Sequence, residues 1–136
     1  MKLAPLFLCL VSTYASAVKP PAEVLSQMET MATVQAAIEI CLNSTEYKNL
    51  SATEALKFHD VSLTASNIIE SIEKRYDDQY AYMAFITASI KISESLEFKR
   101  DFAKTYSRKC AQQLLTDSNQ TLNSVRTRIN SLIKKK

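Results

Sequence analysis

The 136-residue chain contains no glycine and no tryptophan, and only one histidine. Average glycine usage is about 7%, so its absence carries information. Glycine is the usual occupant of left-handed backbone positions, and two-residue β-hairpins lose their preferred turn residue without it. Phosphate-cradling loops and calcium-binding EF-hand loops are excluded in their usual forms, because each needs glycine for a sharp turn or close backbone approach. Proline is nearly as scarce. Beyond the first seventeen residues only Pro20 and Pro21 occur, so no proline interrupts residues 22–136. An interior proline costs a helix about 3 kcal/mol, so this stretch suits long helices.

What is present begins with an address. Met1-Lys2 is a short positive start, Leu3 to Val11 is a compact apolar run, and Ser12 to Ala17 ends in small residues. This is the layout of a secretory signal peptide over residues 1–17. The apolar run is shorter than the roughly 20 residues needed to span a bilayer. The sequence therefore predicts one domain over 18–136, secreted to an extracellular or periplasmic space, with no transmembrane segment in the mature chain. Two cysteines remain there, Cys41 and Cys110. In an oxidising compartment an even count predicts a disulfide. Two distant thiols and one histidine make a poor metal site. Neither a metal nor a cofactor is expected.

Apolar residues recur at helical spacing through most of the chain. Val24, Met28, Met31, Ile38, Cys41 and Leu42 mark a first helix from Ala22 to about Asn43, with Pro21 in its first turn. Ser51-Ala52-Thr53-Glu54 fits a capping box opening a second helix, with Leu56, Val61, Ala65, Ile68, Ile69, Ile72 and Tyr76 on one side. Asp77-Asp78 can cap a third. Its residues Tyr80 to Ile92 are apolar nearly all round, which predicts the central, most buried helix. Ser93-Glu94-Ser95 marks a break. Leu96, Phe102, Ala103, Tyr106, Cys110 and Leu114 form a fourth helix with Cys110 late in it. A further break is expected at Thr116–Asn119, before a final segment holding Leu122, Val125, Ile129, Leu132 and Ile133. Four or five helices with short connectors point to an all-α, up-and-down bundle, tied by one disulfide.

No catalytic constellation emerges. His59 and Asp60 are adjacent, yet neighbouring helix residues point about 100° apart, and no serine sits in a nucleophile elbow. Glu70/Glu73 and Asp77/Asp78 are explained by surface pairing and capping. An enzyme is not expected. Tyr76, Tyr80 and Tyr82 cannot all face the core of one straight helix, so at least one ring is expected at the surface as an interface anchor. Charge is segregated: residues 19–98 carry six basic and twelve acidic side chains, residues 99–136 ten and two. Arg126, Arg128, Lys134, Lys135 and Lys136 are the candidate contacts for an anionic partner. Sequons at Asn43, Asn49 and Asn119 are candidate glycosylation sites.

These features together predict an exported, non-enzymatic, inhibitor- or immunity-like binding protein. Its expected partner is a protein or an anionic surface, with no role for nucleic acid. The alternative is a carrier of a small apolar ligand within the bundle, supported by the apolar Tyr80–Ile92 segment and three methionines of the mature chain.

Overall fold

The computed structural model describes residues 19–47, 50–106, 110 and 112–134, and among them the chain is all helical. The expected signal segment, Asn49, Lys135 and Lys136 lie outside the described residues. Five helices follow in order: α1 (Ala22–Asn43), α2 (Ala52–Tyr76), α3 (Ala81–Glu94), α4 (Leu96–Tyr106) and α5 (Gln112–Lys134). Their buried side chains merge into one hydrophobic core.

The ends of the helices follow from local chemistry. Pro21 is the extended N-cap of α1, one place before the first turn expected for it, and its carbonyl accepts the Leu25 N–H at 3.1 Å. The capping box of α2 is complete. The Ser51 hydroxyl accepts the Glu54 N–H, and the Glu54 carboxylate accepts the Ser51 N–H at 2.9 Å. Helix α2 ends on Asp77 in the left-handed conformation, φ 52°. Glycine ordinarily holds such a position; in a chain without it, an aspartate is among the few side chains that tolerate it. The aspartate pair thus acts chiefly between the helices. Asp78 accepts the Tyr80 N–H, while the first turn of α3 takes its carboxylate from Glu73, which accepts the Tyr82 N–H at 2.8 Å. Ser95 supplies the expected break, closing α3 and accepting the Phe98 N–H of α4.

Residues 116–119 correct the expected interruption. Helix α5 runs straight through them, and the Thr116 and Asp117 side chains find partners in helical geometry. Thr116 donates back to the Gln112 carbonyl, Asp117 accepts from Gln113 one turn earlier, and Ser118 is buried.

The centre of the bundle is also different from expectation. It is α1, which packs on α2, α3 and α5. In its second half Ala32, Ala36, Ala37, Ile38, Ile40 and Cys41 are buried around most of its circumference. Alanines add little bulk to an apolar pattern, but they let three neighbours approach closely. Helix α3 is instead half outside, with only Ala81, Phe85 and Ser89 buried. In α2, Phe58 fills the core while Leu56, expected on the inner face, is 65% exposed.

Cys41 and Cys110 form the disulfide, with Cα atoms 5.5 Å apart. Cys110 lies outside α4, which ends at Tyr106; it stands in the connector leading into α5. The bond therefore joins the end of α1 to the start of α5. At the opposite end Arg128 of α5 pairs with Glu23 of α1 at 3.0 Å, so the two helices run antiparallel.

Candidate functional site

On a helical wheel Tyr82, Met83, Ile86 and Ile90 of α3 share an arc of about 100°, and the buried Ala81, Phe85 and Ser89 lie on the adjoining arc. The outward arc forms an apolar stripe. Tyr82 is 41% exposed, Met83 60% and Ile90 45%, with Tyr80 further out at the head of the helix. Ile86 packs partly against the core beneath. The Tyr82 ring rests beside Phe85, 6.3 Å between centroids, which steadies it at the boundary of the core. Lys91 is the single cation of α3, while Asp77, Asp78 and Glu94 flank the stripe at its two ends.

The other residues expected at an interface are dispersed. Tyr76 is buried, with the Arg75 guanidinium 5.8 Å from its ring centroid. Arg126 lines a groove between α2 and α5 with Asn67, Ile68 and Ser71. Arg128 is engaged by Glu23, and Lys134 closes α5 exposed. The exposed tyrosines, on and just before α3, and the basic residues of α5 therefore stand on different helices. Sequence reasoning missed Met83 and Ile90 because bulky apolar residues were counted toward the core. Their angular offset from Phe85 and Ser89 was the available signal.

His59 and Asp60 are both exposed on α2. Among the described residues no three histidine, cysteine or acidic side chains gather as a metal site, and no helix is long and apolar enough to cross a membrane. Asn43 and Asn119 are exposed, the latter inside α5 and not at a helix start.

Two further clefts lie among the described residues. One of about 350 Å³, where the ends of α1 and α3 meet, is bordered chiefly by polar side chains, including Glu39, Glu94 and Lys99. The other, about 210 Å³, lies between α1, α4 and α5. Its wall on α4 is a ladder of rings: Phe98 and Phe102 lie 6.5 Å apart, Phe102 and Tyr106 5.2 Å. At its edge the Tyr106 hydroxyl donates to Asp117 at 2.8 Å.

No family model matches this chain, and neither the curated proteins nor the solved structures contain a match.

Burial, and then the hydrogen bond to and charge of Asp117, push the Tyr106 phenol up to about 12. A raised phenol pKa means that the folded state favours the protonated form. The contribution to stability is intact below the unfolded value of about 10 and is lost as pH rises through the folded value. Denaturant melts across that window should show stability falling in the native protein and a flatter profile in Tyr106→Phe. In a phenolate absorbance titration, Asp117→Asn should move this group only part of the way back, because burial is the larger cause. An unchanged titration curve in Tyr106→Phe beyond the loss of one ordinary phenol would refute the assignment.

Proposed function

We propose that this is an exported, non-enzymatic binding protein that docks a protein partner on the outer face of α3. The observation that carries the reading is the apolar stripe of Tyr82, Met83 and Ile90, exposed on a helix whose adjoining arc is anchored in the core. Aromatic residues and methionine are enriched in the cores of protein interfaces, and charged residues are depleted there. An exposed apolar patch with polar flanks is a recurrent mark of such sites. Charge favours a protein over an anionic surface. The residues flanking the stripe are mainly acidic, whereas Arg126, Arg128 and Lys134 belong to α5. Export is supported by the signal-like segment and by the disulfide, which persists in oxidising compartments. An apolar-ligand carrier enclosed by the bundle has less support. Met28 and Met31 are packed in the core of α1 and Met83 faces outward, so the methionines line no common chamber.

The test combines Met83→Asp and Ile90→Asp with a photo-crosslinker placed in turn at positions 83 and 63. Buried interface carboxylates without partners should weaken binding by about 100-fold or more, equivalent to roughly 2.7 kcal/mol. Both side chains are exposed, so the melting temperature should hold. Crosslinks should form from position 83 and not from Leu63, which is exposed on α2. A partner that binds the double variant normally, or crosslinks only through position 63, would overturn the proposal. Sedimentation would reveal whether the occupant is a second copy of this chain.

A further inference from the structure

Residues 99–136 carry ten basic side chains and two acidic ones, Asp101 and Asp117. The fold brings those two carboxylates to the same place: both line the cleft of about 210 Å³ between α1, α4 and α5. Its apolar wall is made by Val34 and Ala37 of α1, Phe98 and Phe102 of α4, and Leu114 of α5. No residue of α3 lines it, so it is separate from the proposed protein-docking stripe.

Among the described residues neither acidic group is paired with a cation. Asp117 accepts one hydrogen bond from the Tyr106 hydroxyl and one from the Gln113 amide, at 2.8 and 2.7 Å. Both donors are neutral, so they orient the carboxylate and leave its charge in place. Each carboxylate oxygen retains a further acceptor site. The cations of α4, Lys99, Arg100 and Lys104, are not among the residues lining the cleft. Arg128, further along α5, is paired with Glu23.

We propose that this cleft binds a small organic ammonium ion with an aromatic or short alkyl body. The half-buried rings of Phe98 and Tyr106 line the cleft beside the apolar body and the cation, and Asp101 and Asp117 supply the counter-charge. The volume accommodates one ring with a short aminoalkyl arm and excludes a long-chain lipid. A neutral ligand of the same shape would supply no counter-charge to either carboxylate, so the site discriminates by charge.

The test uses 2-phenylethylammonium and its neutral counterpart 2-phenylethanol as probes on the intact, oxidised protein, followed by calorimetry and by amide chemical shifts. Sub-millimolar, saturable binding of the amine is expected, with the alcohol at least about tenfold weaker. The largest shifts should fall at Thr105 and Thr121, which line the cleft. Asp117→Asn should weaken the amine by about tenfold, and Asp101→Asn, on an exposed side chain that folding does not need, should weaken it severalfold. Equal affinity for amine and alcohol, no saturation by the amine at about 10 mM, or unaltered binding in Asp101→Asn would overturn the proposal. So would shifts confined to α3.

Discussion

Replacing Cys41 and Cys110 together by serine should lower stability by about 4 kcal/mol and the melting temperature by roughly 15 °C or more. The bond closes a span of 69 residues, from the end of α1 to the connector before α5. Opening it restores to the unfolded chain the entropy that the closed loop withholds. Little in the native state compensates. The opposite end of the α1–α5 pair is held by the Arg128–Glu23 ion pair, both of whose side chains are about half exposed, and such surface pairs are worth under about 1 kcal/mol. Small domains have only about 5–15 kcal/mol in total, so the change is a large share of the reserve. Calorimetry of the oxidised protein and the double serine variant measures it. Melting temperatures within a few degrees of each other would show that the bond is dispensable.

Phe58→Ala should cost about 3–5 kcal/mol, whereas Leu56→Ala, two residues away, should stay within about 0.5 kcal/mol. Phe58 has no exposed surface and sits among the largest fully buried side chains of the core; Leu56 is 65% exposed. Truncating the ring removes its transfer free energy and leaves a cavity that backbone rigidity prevents from closing. Truncating Leu56 removes little that folding had buried. Urea melts of the two variants decide which residue points inward. Equal effects, or a larger effect at Leu56, would mean that the inner face of α2 has been assigned wrongly.

These two neighbours illustrate where reading the sequence succeeds and fails. Val61, Ala65, Ile68, Ile69, Ile72 and Tyr76 repeat over four turns, and all six are buried as their spacing predicts. Near the start of the helix the repeat is short, and two large apolar residues at positions 56 and 58 compete for one place on the inner face. Periodicity alone gives the choice little leverage there. The same ambiguity misplaced α3. A helix that presents one apolar arc to the core and another to its surroundings reads like one buried on every side. Thr116–Asn119 failed for a different reason. Their side chains are those of a helix start, but Thr116 and Asp117 find partners one turn back in α5, and Asp117 also accepts from Tyr106 of α4.

By itself the sequence determined the helical class, the opening of α2 at Ser51, the break at Ser95 and the pairing of the two cysteines. Each follows from local or compositional physics: absent glycine, a reciprocal cap, a serine that satisfies orphan backbone groups, an even thiol count. Only the tertiary structure decided that α1 lies at the centre, that Met83 and Ile90 face outward, and that Asp101 and Asp117 meet at one cleft. Those outcomes depend on which faces of distant helices come together. A one-dimensional pattern records how apolar a residue is and how often it recurs, but not what is packed against it.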